Sequence, residues 1–180
     1  MSGKMRESGK VSSSTPALKI LTERGVPFRL ATFPSKEKNA EEVSRCLKIP
    51  LRLVVKTLLL KTPADDFLLA LCPGDRQVDL RLLAPLLKEK RIDLAAREEV
   101  PRVTGYFIGG VSPLGTRHDL PVVMDSIILA EKEISISAGR WGHQILIDPQ
   151  LLRDILSPRL IVAEISQETE PAGPTPASQD

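Results

Sequence analysis

Two nearly uninterrupted apolar runs, residues 53–60 and 67–72, flank the short polar stretch 62–66. Runs of this length, rich in Leu and Val and bounded by turn residues, predict two buried strands joined as a hairpin. A chain with that hairpin at its centre must cover both faces of a sheet, so the remaining elements are expected to pack around it. Residues 15–24, with Thr15 as a cap before Pro16 and Gly25 closing, predict a short amphipathic helix. A strand is expected over 28–33, and a helix over 40–47 with Val43, Cys46 and Leu47 on one side, stopped by Pro50. Beyond the Pro73-Gly74-Asp75 turn, residues 78–88 predict a helix and 94–100 a partly helical segment. Short strands are expected over 121–124, 134–137 and 144–147, with a closing helix over 149–156. Strands outnumber helices and are irregularly interrupted. The predicted class is therefore α/β in the α+β sense, a mixed, mostly antiparallel sheet or partial barrel surrounded by helices.

The chain has 180 residues, 42% of them hydrophobic, enough for one substantial core and one domain. Residues 1–14, rich in Ser, Gly and Lys, and 166–180, rich in Pro, Thr, Glu and Ala, predict a disordered arm and tail, leaving 15–165 as the domain. The tail from Glu164 onward holds four acidic residues and no Lys or Arg, so the domain body is mildly basic although the whole chain carries only +2. That charge permits a nucleic-acid partner without requiring one. Only 3% of residues are aromatic, which argues against extensive readout of single strands by stacked bases. Cys46 and Cys72 have no metal-ligand spacing and only His118 and His143 as companions, so no metal and no cofactor are expected. With no secretory h-region and no membrane-spanning apolar run, a reducing cytoplasm is the expected location and no membrane partner is foreseen.

Lys56 stands inside the first apolar run and shares a face with Val54, Leu58 and Leu60. An unpaired ammonium there would cost several kcal/mol, so an anionic or polarised group should meet it; the alternative is that the face lies near a sheet edge and Lys56 snorkels to water. Residues 104–115 contain four glycines and a proline, a composition able to hold backbone N–H donors in a concave array around an oxygen, or simply to form a tight connection. Ser112 resembles a hydrolase nucleophile, but the surrounding Gly110-Val111-Ser112-Pro113-Leu114 is not a nucleophile elbow and Pro113 lacks the N–H such an elbow uses, so no acyl-enzyme is expected. Neither a P-loop nor a dinucleotide fingerprint occurs. A third glycine-containing turn, 137–143, carries Arg140, Trp141 and His143; Trp141 could stack a base, but packing against the core is the plainer expectation.

Taken in order, Thr15-Pro16-Ala17, Val55-Lys56-Thr57-Leu58, Pro73-Gly74-Asp75 with Val78-Asp79-Leu80, and Thr104-Gly105-Tyr106 continuing into Gly109-Gly110-Val111-Ser112-Pro113-Leu114-Gly115 resemble the YbaK/EbsC aminoacyl-tRNA deacylases, relatives of the editing domain inserted in bacterial prolyl-tRNA synthetases. The resemblance runs from about residue 15 to 156 and implies hydrolysis, in trans, of the ester on a mischarged tRNA. The aminoacylated 3′ end of tRNA is then the partner, with prolyl-tRNA synthetase as a family-based further one. It implies Lys56, Gly109 and Gly110 as the catalytic set, and Phe33, Thr57, Ser112, Pro113, Ser137 and Gln144 as substrate contacts. The chain departs from the branch that removes cysteine from tRNA for proline. It has Phe33 where that branch has a tyrosine and Gln144 where it has an aspartate, so alanine, serine and threonine fit as well as cysteine. The readings from other classes are a non-catalytic module that binds tRNA or a synthetase, and a hydrolase of another small ester or amide.

Overall fold

The computed structural model describes residues 4–7, 14–34 and 39–169. In chain order the elements are β1 (Lys4–Glu7), α1 (Pro16–Glu23), β2 (Arg29–Thr32), α2 (Ala40–Leu47), β3 (Val55–Lys61), β4 (Phe67–Pro73), β5 (Arg76–Val78), α3 (Leu80–Leu86), β6 (Asp93–Leu94), α4 (Glu99–Thr104), β7 (Val122–Asp125), β8 (Ile134–Ser137), β9 (His143–Ile147), α5 (Pro149–Leu156), β10 (Leu160–Ala163) and β11 (Ser166–Glu168). Single 3-10 turns precede β3 and follow β7 and α5.

The predicted hairpin forms the middle of a five-stranded mixed sheet of order β10-β7-β4-β3-β6, with Lys56 opposite Cys72 and Leu60 opposite Leu68. A second sheet has the order β1-β2-β9-β8, and β11 pairs with β5 in a two-stranded ribbon. Two-residue alternation explains the layering. Leu69 and Leu71 of β4, Val122 and Met124 of β7, and Ile145 and Ile147 of β9 enter the main core between the two large sheets, which α1 and α5 complete with Leu21, Leu152 and Leu156. The intervening Leu68, Ala70 and Val123 face outward onto Leu83 and Ala84 of α3, while Ala31 and Leu146 face outward onto Leu47 of α2. Both faces of β4 are thus buried, which is why its sequence is apolar without alternation. The two large sheets touch through one parallel bridge, Val54 with Ser135. They form a partial barrel that does not close, in keeping with the expected class.

Several local predictions hold because their signals are local. Thr15 caps α1 by accepting from the Leu18 N–H, and the helices expected over 40–47 and 149–156 form with those bounds, capped by Asn39 and Asp148, neither of them singled out from the sequence. Others do not. The segment 94–100 was expected to be partly helical; instead Asp93–Leu94 is a strand on the edge of β3 and the helix begins at Glu99, whose carboxylate reaches back to the Ala96 N–H at 2.8 Å. Lys4–Glu7, inside the arm expected to be disordered, pairs with the outer edge of β2, whose N–H and C=O groups would otherwise lack strand partners. Ser166–Glu168, assigned to the tail, pairs with β5. The rest of the arm and tail, 1–3, 8–13 and 170–180, lies outside the described residues. No described helix is long and apolar enough to cross a membrane.

Candidate active site

Strand β3 is paired with β4 along its whole length, but its other edge is covered only at the ends. Val54 is bridged to Ser135, and at the far end the Ala95 N–H donates to the Leu59 carbonyl (3.0 Å) before β6 pairs with Leu60 and Lys61. Between these points no described strand pairs with β3. Since the Leu59 carbonyl points to the open side, the main-chain N–H and C=O of Thr57, two residues earlier, point there too. The Thr57 hydroxyl is buried and has no hydrogen-bond partner. An unpaired stretch of sheet edge with an orphan hydroxyl is costly unless a ligand meets it.

This edge forms the floor of a cavity of about 470 Å³. Its walls come from the start of α2, from Leu94, Ala95 and Arg97 before α4, and from two glycine turns. In the first turn the Gly110 N–H donates to the Phe107 carbonyl (2.9 Å), with Gly109 at φ +82°. In the second the His143 N–H donates to the Arg140 carbonyl (3.2 Å), with Gly142 at φ +69°. Each turn needs a left-handed residue at its third position, which glycine adopts without strain. The turns abut at Gly110, where a Cβ would lie 3.4 Å from Trp141 Cδ1, and are tied by the Trp141 indole N–H donating to the Ile108 carbonyl (2.9 Å).

Of the residues singled out in the sequence, Phe33, Lys56, Thr57, Gly109, Ser137 and Gln144 line this one cavity. Gly110, Ser112 and Pro113 do not reach its wall. The Gly110 N–H is consumed in its turn, Ser112 is fully buried and accepts from the Leu114 N–H (3.3 Å), and the Pro113 carbonyl accepts from Arg159 (3.3 Å). Lys56 is half-buried, and its ammonium meets a polarised group as foreseen, although that group is the Arg76 carbonyl on β5 (2.5 Å) and not the glycine loop. It also opposes burial at the neighbouring Cys72, whose thiol burial pushes up to about 11. At the far wall the Ser135 hydroxyl donates to Gln144 Oε1 (2.9 Å), and Ser137 Oγ accepts from the Gly139 N–H (3.2 Å). Among the described residues no group of three His, Cys, Asp or Glu side chains is placed to hold a metal ion.

Two features escaped the sequence. Arg97 lines the cavity wall, where nothing but its charge could have flagged it. Trp141, expected in the core, is 42% exposed and lines the cavity beside Phe107, because its indole is held against a turn and not against the sheets.

An open-edged mixed sheet with a lysine-bearing strand and a glycine turn lining one cavity defines the chain as a small α/β domain with a candidate site on its central strand. The chain belongs to the aminoacyl-tRNA editing domain family, whose model matches residues 35–155. It is 28% identical over 145 residues, 79% of this chain and 88% of the relative, to a candidate Cys-tRNA(Pro)/Cys-tRNA(Cys) deacylase, EbsC, of Enterococcus faecalis. It is also 36% identical over 106 residues to a proline–tRNA ligase of a Sulfurihydrogenibium species, of which the match spans 18%. Among solved structures, a candidate trans-editing enzyme for prolyl tRNA synthetase superposes with a TM-score of 0.76 at 25% identity, covering 87% of this chain and 99% of that one.

Proposed function

We propose that this chain hydrolyses the ester linking a wrongly attached small amino acid, cysteine, alanine, serine or threonine, to the terminal adenosine of tRNA for proline, acting in trans in the cytoplasm. The observation that carries the reading is the unpaired Thr57 edge of β3, with its orphan hydroxyl, lining the same cavity as Lys56 and the Gly109 turn. The EbsC relative named for this activity is matched over 88% of its length, and the ligase match spans only a segment of a much longer enzyme.

An aminoacyl ester is already activated, so orienting the nucleophile and stabilising the developing oxyanion suffice. In this reading the acyl group lies along the β3 edge. The Thr57 main-chain groups and hydroxyl hold its amino and carbonyl ends, and Gln144 and Ser137 limit its side chain. The Gly109 N–H, which donates to no carbonyl of the described residues, faces the ester oxygen. The Lys56 ammonium exchanges the Arg76 carbonyl for the negative charge that grows on the ester. Water adds to the ester carbon, the bond to the ribose oxygen breaks, and that oxygen leaves as the ribose hydroxyl with a proton from the attacking water.

The test is release of amino acid from tRNA for proline charged in turn with cysteine, alanine, serine and threonine. The wild type is expected to hydrolyse at least one, and Lys56→Ala to lose about a hundredfold or more in kcat. Wild-type binding of tRNA with every ester left intact would replace this reading with that of a non-catalytic binding module. Undiminished turnover by Lys56→Ala would overturn the role given to the ammonium.

A further inference from the structure

We infer that Phe107 and Trp141 form a stacking subsite for one purine base, the terminal adenine of the aminoacylated strand; this deepens the deacylase reading and rests on it.

Six side chains in the chain are aromatic, and all six are described. Four are buried or half-buried, whereas Phe107 is 71% exposed and Trp141 42% exposed. These two exceptions are neighbours, with ring centroids 6.1 Å apart and planes tilted by 50°. Their position follows from the turns that carry them. The indole N–H is anchored on the Ile108 carbonyl, and Gly110 lets the two turns close upon each other. The indole N–H ties the two turns together, yet both side chains stay exposed beside one another, an arrangement suited to a flat apolar ligand. A rigid aromatic surface stacks a base at little entropic cost.

The chemistry of the substrate places adenine there. The base and the ester are attached to the same ribose, so an acyl group lying on the β3 edge leaves the base only a few bonds away. Trp141 and Ile108 belong to the cavity that contains Lys56 and Thr57, whereas Phe107 stands just outside its wall, so the pair bridges the acyl site and its mouth. One exposed pair accommodates one base. This agrees with an aromatic content too low for reading a longer single strand.

Trp141 is the chain's one tryptophan, so its emission reports on the subsite directly. The probe is adenosine carrying alanine through a hydrolysis-resistant amide in place of the ester, compared with the same alanyl amide on a ribose without a base. Saturable quenching by the first and none by the second is expected. With mischarged tRNA, Trp141→Ala and Phe107→Ala should each raise KM roughly tenfold while changing kcat far less, and Trp141→Phe should restore most of the affinity. Equal responses to the two probes, or a KM in Trp141→Ala equal to wild type, would overturn the subsite while leaving the deacylase reading intact. Selective quenching by the adenosine probe in a wild type that releases no amino acid would do the reverse, retaining the adenine subsite and removing the hydrolytic function.

Discussion

The Ser135 hydroxyl donates to the amide oxygen of Gln144 across neighbouring strands β8 and β9, at 2.9 Å and with both residues buried. The bond occupies the oxygen end of the amide, so the NH₂ group is the end left to donate to a ligand in the cavity that Gln144 lines. Ser135→Ala strands a buried acceptor and should lower stability by about 1–3 kcal/mol, read from the urea midpoint. Gln144→Leu removes the donor that would read an acyl hydroxyl. It should reduce kcat/KM for serine and threonine esters about tenfold relative to the alanine ester. An unchanged ratio would show that the amide takes no part in selection.

Lys61 at the end of β3 bonds Glu99 at 2.8 Å and Asp65 at 2.9 Å, tying the wall that carries Arg97 to the central sheet. The Lys61 hydrogen bond holds the Glu99 carboxyl below its ordinary 4.5, so this contribution to stability is complete above that value and is lost as pH falls through the depressed folded one. Conversely, hydrogen bonds first to Glu99 and then to Asp65 raise the Lys61 ammonium above 10.5, so its contribution is complete below that value and is lost as pH rises through the raised one. The difference in urea midpoint between wild type and Glu99→Gln should be constant through the neutral range and shrink at both extremes. A gap that persisted in acid would mean that the Lys61 pairing does not stabilise this wall.

What could be read from the chain was what is encoded within a few residues. The hairpin of β3 and β4, the cap at Thr15, the closing helix from Pro149 and the Lys56 anomaly depend on neighbours in sequence. Strands β5, β10 and β11 do not, being three or four residues long and paired with distant segments, as Ser166 is with Val78. The cavity was partly legible because Lys56 and the glycine run around Gly109 each break a local pattern, whereas Thr57, an ordinary strand former, was flagged only by the family resemblance. The open edge beside Thr57 was not, because a strand does not announce where its partner stops. Trp141 was misplaced for a related reason: burial is the ordinary fate of an indole, and only the contact between two distant turns at Gly110 keeps it at the surface.

Tyr106 and Gly139 show a similar dependence on contact between distant segments. The phenol is 4% exposed, its hydroxyl donates to the Leu114 carbonyl at 2.7 Å, and burial pushes its ionisation up to about 12. Gly139 has φ +87°, and a Cβ there would lie 2.5 Å from Tyr106 Cε1. Gly139→Ala therefore combines a left-handed backbone strain of about 1–3 kcal/mol with displacement of a buried ring. A drop in melting temperature larger than that of Tyr106→Phe is expected, since the latter removes one hydroxyl and leaves the packing in place. Equal melting temperatures for Gly139→Ala and wild type would mean that the ring moves aside freely.

The two thiols should differ sharply in reactivity. Cys72 on β4 is fully buried, its sulfur 3.4 Å from the Pro73 and Arg76 carbonyls, and burial pushes its thiol up to about 11 although the Lys56 charge opposes the shift. Thiolate is the reactive species, so at neutral pH Cys72 is both inaccessible and almost wholly protonated. Cys46 on α2 is only half-buried. An aromatic disulfide reagent should therefore modify one thiol in the native protein, absent from Cys46→Ala, and the second only after denaturant is added. Lys56→Ala removes the cation that favours the Cys72 thiolate, so native-state labelling of Cys72 should become slower still. Faster labelling in that variant would mean that the lysine side chain chiefly shields the thiol, with packing around the Arg76 carbonyl opened by its loss.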